Sequence, residues 1–203
     1  MTATRLFLVR HGESTWNADG RWQGQADPPL SALGARQAEA AVAGFIEQAD
    51  AVWTSDLVRA ARTAEILAAG LGLPPPRPDA RLREREVGEW SGLTRAEIED
   101  GWPGYLAERR SPPGFEADAE LGERAAAALR DLARHGPGTT ILVVTHGGVI
   151  RTLERGLGGE AAPPIPNLGG RWVVVDDAGE LVLGERRLLI DPDDIEVTVP
   201  PPR

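Results

Sequence analysis

At 203 residues, with 41% apolar and 26% charged side chains, the chain has the size and composition of one globular core. A net charge of −9, from 31 acidic against 22 basic residues, with no basic stripe, excludes duplex nucleic acid as a partner. The absence of cysteine rules out disulfides, thiolate nucleophiles and cysteine metal clusters, and no apolar run approaches the ~20 residues of a membrane span.

Residues 5–9 are a short apolar run that reads as a buried parallel strand, and it ends at Arg10, His11 and Gly12. Ligands of open α/β sheets sit just past the carboxyl ends of strands, so a cation and an imidazole emerge where a site is expected. Gly12 leaves room for backbone amides to approach an anion, and Ser14, Thr15 and Asn17 add neutral donors. That set favours a phosphate. The plainer alternative pairs Arg10 with a carboxylate and makes His11 a satisfied polar residue at a strand end.

Residues 16–29 have loop character and carry Arg21, Trp22, Gln23 and Gly24. Ser31 reads as the N-cap of a helix over 31–48, burying Leu33, Ala38, Ala41, Val42, Phe45 and Ile46. A second strand spans 51–55. A helix over 56–71 follows, with Leu57, Ala61, Ala64, Leu67, Ala68 and Leu71 inward and Arg59 in its first turn, on the same rim as Arg10. Residues 74–78 form a stiff proline-rich connector.

Residues 80–93 follow neither helical nor strand periodicity and read as a structured surface segment able to lie over the site. Thr94 and Glu97 form a capping-box pattern for a short helix to residue 100. Residues 102–116 are irregular and supply part of a lid bearing Trp102, Tyr105, Arg109, Arg110 and Phe115. Those aromatics either stack on a substrate or, more simply, pack the lid while the arginines pair with nearby carboxylates.

Residues 119–135 are helical by the spacing of Leu121, Ala125, Ala128, Leu129 and Leu132, and Gly136 stops the helix. The third strand, 140–145, ends in Thr145-His146-Gly147-Gly148 and leads into a helix to residue 157, so the opening pattern of strand, histidine and glycine recurs. A hairpin over 171–187 turns at Asp177-Ala178-Gly179, and the acidic, proline-rich tail of 191–203 is expected to be loosely held. Trp53 and Trp172 are expected in the core. The order predicts a three-layer α/β sandwich: a mostly parallel central sheet, helices on both faces, the first strand central and a late strand antiparallel. Residues 1–203 read as a single domain in the cytoplasm, with no leader at the N-terminus and with 80–118 as its cover.

Taken together, His11, His146, Arg10, Arg59 and a carboxylate of the cover suit phosphoryl transfer. Neutral imidazole is a competent nucleophile, and fixed guanidinium groups compensate charge on the equatorial oxygens. A Glu held over the site protonates the leaving alkoxide and then activates water. A metal is the competing use of His and carboxylate. The third histidine, His135, sits at a helix end, and two histidines flanked by arginines oppose a dication, so no metal and no cofactor are expected.

These residues carry a resemblance. Arg10-His11-Gly12-Glu13-Ser14-Thr15-Trp16-Asn17, the run 55–64, the run 82–92 and Thr145-His146-Gly147-Gly148 resemble, in order, the motifs of the histidine phosphatase superfamily in its phosphoglycerate-mutase-like branch. The resemblance implies that His11 is the phosphorylated nucleophile, that Arg10, Arg59 and His146 form the phosphate pocket, and that Asn17, Gln23 and Gly24 contact phosphate or substrate. The family's proton donor stands four residues before the glycine of the covering segment, which selects Glu84 before Gly88 over Glu86. Glu13 is left between orienting the loop and a structural salt bridge. Where many relatives have Gly-Gly-Glu-Ser, residues 113–118 read Pro-Gly-Phe-Glu-Ala-Asp, so that stretch's role does not carry over. The short segment 93–118 favours hydrolysis of a small phosphorylated metabolite over a mutase reaction. The alternatives are that mutase chemistry or a catalytically silent phosphate-binding module.

Overall fold

The computed structural model describes residues 3–136, 139–160 and 162–198. Strand β1 (Thr4–Arg10) leads through the one-turn helix α1 (Thr15–Ala18) to α2 (Ala32–Gly44), β2 (Ala51–Thr54), α3 (Val58–Gly70) and β3 (Arg77–Pro78). Two 3-10 turns, Ala80–Leu82 and Gly88–Trp90, precede α4 (Arg95–Gly101). Then come α5 (Asp118–His135), β4 (Thr140–Thr145), α6 (Gly147–Gly156) and the hairpin of β5 (Gly169–Val175) and β6 (Leu181–Leu188).

The six strands form one sheet in the order β3-β2-β4-β1-β5-β6. β1 and β2 each pair with β4 in parallel, β3 extends β2 in parallel, and β5 runs antiparallel to both β1 and β6. Both faces of β1 and β4 are covered, which is why their sequences are apolar throughout rather than alternating. Leu6, Leu8, Ile141 and Val143 meet Leu121, Ala125, Leu129 and Val149 of α5 and α6. Phe7, Val9, Leu142 and Val144 meet Ala41, Ala60, Ala64 and Leu67 of α2 and α3. The layers are helix, sheet, helix, as the sequence order predicted.

Three expectations need correction. α2 ends at Gly44, four residues early, because Gly44 lies against the backbone of Leu189, where a Cβ would sit 3.0 Å from its Cα. The chain turns there so that Phe45 packs on Phe7 and Trp172, at centroid distances of 5.8 and 6.3 Å, and Ile46 is left 81% exposed. Residues 80–93 are not merely surface: Leu82, Arg85, Val87 and Trp90 are buried. Trp90 centres a small apolar cluster with Trp22, Trp102 and Phe115, at 5.2, 6.4 and 5.8 Å.

The tail is pinned as far as residue 198. Ile195 and Val197 pack on the core, the Gln37 side-chain amide donates to the Glu196 carbonyl (2.8 Å), and Asn167 N–H donates to the Thr198 carbonyl (3.1 Å). The last part of the expected loose tail, 199–203, lies outside the described residues. Trp172 is buried as expected, and Trp53 is half-buried with the Arg77 guanidinium over its ring.

The segment after β1 is held by close backbone approach. Gly34 of α2 sits so near Glu13 that an added Cβ would lie 2.7 Å from the Glu13 nitrogen and 2.8 Å from its carbonyl carbon. Gly34→Ala is therefore expected to lower the unfolding free energy by about 1–3 kcal/mol in urea. Gly156→Ala, whose Cβ meets nothing within 4 Å, serves as the control that does not.

Candidate active site

The parallel register pairs Arg10 of β1 with Thr145 of β4. Each strand's next residue is a histidine, so His11 and His146 leave the sheet side by side, ring centroids 5.1 Å apart and edge to face. On the other flank of β4, β2 pairs Thr54 with Val144, so Ser55 and the first turn of α3 arrive at the same edge. Arg59 is carried there, fully buried, and its Nε donates to His11 Nε2 at 3.3 Å. A cavity of about 130 Å³ opens over this edge. Arg10, His11, Asn17, Gln23, Gly24, Arg59 and Glu84 line it; His146 lies just beneath, beside His11.

His11 is held in one tautomer. Its Nδ1 lies 2.6 Å from the Gly12 carbonyl, which only accepts, so Nδ1 carries the proton and Nε2 keeps its lone pair. The Asn167 side-chain amide donates to the His11 carbonyl (2.7 Å), and Gly12 N–H donates to Thr63 Oγ1 (3.1 Å). Burial first, then the charges of Arg59 and Arg10, pushes the His11 imidazole well below its ordinary value of 6.5. His146 is lowered in the same way, by burial, Arg59, His11 and Arg10; its Nε2 shares a hydrogen with Ser55 Oγ (2.9 Å), while its buried Nδ1 has no partner among the described residues.

The arginines are held by carbonyls. Arg10 donates to the Ile165 carbonyl (2.9 Å), and Arg59 donates to those of Ala26 (2.8 Å) and Gly24 (2.9 Å). Among the described residues neither makes an ion pair. Desolvation lowers both to about 10, against the opposing charge of Glu84, so both stay charged at neutral pH. Two buried guanidinium groups with only one carboxylate facing both of them, beside a neutral imidazole, suit a phosphate anion.

Asn17 and Gln23 have their side-chain oxygens occupied, by Ser14 N–H (3.1 Å) and the Ser14 hydroxyl (2.7 Å), which leaves their NH2 groups as the unengaged ends. Glu84 accepts from Gly148 N–H (3.0 Å) at the start of α6 and from Arg85 N–H (2.8 Å). Glu86 does not line the cavity; it accepts from Val87 and Gly88 N–H, at 2.8 and 3.1 Å. Glu13 orients the loop rather than pairing with a cation. It accepts from the hydroxyls of Ser31 (2.7 Å) and Thr198, and its N–H donates to Gln37 Oε1 (2.8 Å).

Several lining residues were not singled out from sequence: Thr198, Val87, Gly148 and Arg151. Arg151 was legible, since it follows Gly147 by four and shares its helix face. Its Nε donates to the Gly147 carbonyl (3.2 Å), and its terminal nitrogens have no partner among the described residues. The lid residues Tyr105, Arg109, Arg110 and Phe115 do not line the cavity. Arg110 pairs with Glu108 (3.5 Å), as the simpler expectation had it, and also stacks on Tyr105, 3.9 Å from its centroid, and bonds its hydroxyl (3.0 Å), while Arg109 has no carboxylate partner among the described residues. His135 is exposed at the end of α5.

A family model described as the histidine phosphatase superfamily (branch 1) matches residues 6–170. The chain belongs to the histidine phosphatase superfamily. A metal-independent phosphoserine phosphatase of Arabidopsis thaliana is 38% identical over 159 residues, 74% of this chain and 67% of that protein. A probable phosphoglycerate mutase of Klebsiella pneumoniae is 41% identical over 155 residues, 70% of this chain and 69% of that protein. Among solved structures, a mycobacterial glucosyl-3-phosphoglycerate phosphatase in complex with VO3 superposes with a TM-score of 0.77 at 32% identity, covering 89% of this chain and 97% of that one. As a histidine phosphatase with phosphatases among its relatives, the chain is a phosphoric monoester hydrolase. Among the described residues, this phosphatase has no group of three or more His, Asp or Glu side chains arranged to hold a metal ion. No described helix is long and apolar enough to cross a membrane.

The lowered imidazoles link stability to pH. Once unfolded, both histidines take up a proton near 6.5; folded, they do not. Stability is therefore full above that pH and falls below it, by up to about 1.4 kcal/mol per pH unit for each histidine. Urea unfolding between pH 7.5 and 5.5 is expected to show the fall, and His146→Gln to lose about half of its slope.

Proposed function

We propose that the enzyme hydrolyses a small phosphorylated metabolite through a phosphohistidine on His11, without a metal ion. The observation that carries this reading is the state of His11: Nε2 unprotonated, Nδ1 tied to the Gly12 carbonyl, and two buried guanidinium groups held by carbonyls at the same cavity. The substrate's phosphoryl group sits between Arg10, Arg59 and His146, its oxygens facing the two guanidinium groups. Asn17, Gln23 and the Gly24 segment complete the cradle. His11 Nε2 forms the bond to phosphorus as the P–O bond to the alcohol breaks, and the Glu84 carboxyl gives its proton to the leaving oxygen. Water then enters. Glu84, now a carboxylate, takes one of its protons as the oxygen attacks phosphorus, and inorganic phosphate leaves with His11 restored.

Hydrolysis is favoured over return of the phosphoryl group to a sugar acid by the compact cover: residues 93–118 hold only α4 and turns around the Trp90 cluster. Arg151, cationic and unpaired on the Glu84 side of the cavity, suits a leaving group bearing a second anion. Such a group occurs in both phosphoserine and phosphoglycerate, named for the relatives above. We place this activity in the cytoplasm, in one domain covering residues 1–203, with 80–118 as its cover and no nucleic acid or membrane as partner.

Turnover of p-nitrophenyl phosphate at mildly acidic pH is expected to persist in excess EDTA. His11→Ala is expected to abolish it, and Glu84→Gln to slow turnover of phenyl phosphate, whose leaving oxygen needs a proton, by about 100-fold or more while inorganic phosphate still binds. Phosphate or vanadate binding without turnover would identify a silent binding module instead. Incubation with 3-phosphoglycerate is expected to release phosphate; formation of 2-phosphoglycerate would identify a mutase.

A further inference from the structure

The segment 81–86, which carries Glu84, has little regular structure of its own beyond the end of one 3-10 turn. A loop of that kind does not hold a carboxyl group to the tolerance that proton transfer needs unless something outside it fixes the backbone. One side chain of α5 does so. Arg124 Nη1 donates to the carbonyls of Arg81 (2.7 Å) and Arg83 (2.8 Å), and Nη2 donates to the carbonyl of Glu84 itself (3.0 Å).

The same guanidinium grips Glu116 through both carboxylate oxygens, Nε to Oε1 at 2.6 Å and Nη2 to Oε2 at 2.9 Å. Glu116 in turn takes up the far end of the loop: its Oε2 accepts from Glu86 N–H (3.1 Å) and its N–H donates to the Glu86 carbonyl (2.9 Å). Five donor contacts from one planar group thus fix three carbonyls and a carboxylate, a geometry lysine cannot copy. Arg124 does not line the cavity and reaches no reacting atom.

We propose that Arg124, anchored by Glu116, is the positioning residue for the acid Glu84, and that its contribution to the rate is delivered through protonation of the leaving group. The inference rests on the assignment of Glu84 as the proton donor. It requires loss of Arg124 to slow substrates according to how much their leaving oxygen needs a proton. A bystander holding the fold together would slow all substrates alike.

The test is kcat/KM, which ends at release of the alcohol, for a series of ring-substituted phenyl phosphates with purified full-length protein. p-Nitrophenolate leaves without assistance and unsubstituted phenolate does not. Arg124→Ala and Glu116→Gln are each expected to lower kcat/KM at least about tenfold more for phenyl phosphate than for p-nitrophenyl phosphate. Arg124→Lys, which keeps the charge but not the fork, is expected to fall short of full rescue. In a Glu84→Gln background, Arg124→Ala is expected to add no further leaving-group dependence.

Equal losses across the series in both the Arg124→Ala and the milder Glu116→Gln variants would overturn the proposal, as would no loss. Glu84→Gln, run alone on the same series, separates the two levels. If it shows the leaving-group dependence and the Arg124 and Glu116 variants do not, the clamp alone fails. If it shows none, the acid assignment fails and the clamp falls with it.

Discussion

Parallel pairing of β1 with β4 is the constraint on which the rest of this molecule depends. A ladder in which Arg10 faces Thr145 leaves the next residue of each strand at the same level of the sheet edge, and in both strands that residue is a histidine. A slip of one residue would turn either Leu6 and Leu8 or Ile141 and Val143 toward the wrong helical layer, so the apolar pattern that builds the core also specifies the separation of the two imidazoles. The site needs no dedicated scaffold, because the register of a fully buried pair of strands already provides one. α3 adds Arg59 by the same logic, since the strand before it joins the other flank of β4 in a fixed register.

The electrostatics run against the protein as a whole. A chain of net charge −9 places Arg10, Arg59 and Arg151 around one small cavity, and gives the two buried arginines carbonyl partners in place of carboxylates. Elsewhere several arginines are ion-paired: Arg83 with Asp56, Arg124 with Glu116, Arg187 with Glu47, and Arg171 and Arg186 with the buried Glu154. Positive potential is thus concentrated where an anionic ligand fits, with Glu84 as the carboxylate that faces both buried arginines. Burial, with the same field added to it, keeps both imidazoles neutral, so a requirement for anion binding and a requirement for nucleophilicity are met by one arrangement.

Much of this was legible in the chain itself. The layers, the central place of β1, the antiparallel hairpin at the end and the Thr94–Glu97 capping box all follow from periodicity and end signals, which are local properties. The neighbourhood of His11, His146, Arg10 and Arg59 was legible because strand ends advertise themselves, whereas Glu84 was picked out of the covering segment only by the spacing that the family resemblance implies. What local pattern does not contain is long-range backbone contact. The early end of α2 is decided by Leu189, far along the chain, and the Trp90 cluster converts residues 80–93 from cover into a second small core. The ordered stretch 191–198 was missed for the same reason: its composition is that of a free tail, and it is held by Gln37 and Asn167 and by apolar contacts of Ile195 and Val197 that no neighbouring residue foretells.

The contact between the Thr198 hydroxyl and Glu13 joins positions 185 residues apart, and Thr198 also forms part of the cavity wall. Synthesis proceeds from the other end, and β1 must wait for β4 before its own ladder can form. A nascent chain therefore holds its nucleophile long before it owns a finished site, and the wall closes only once residue 198 has cleared the ribosome.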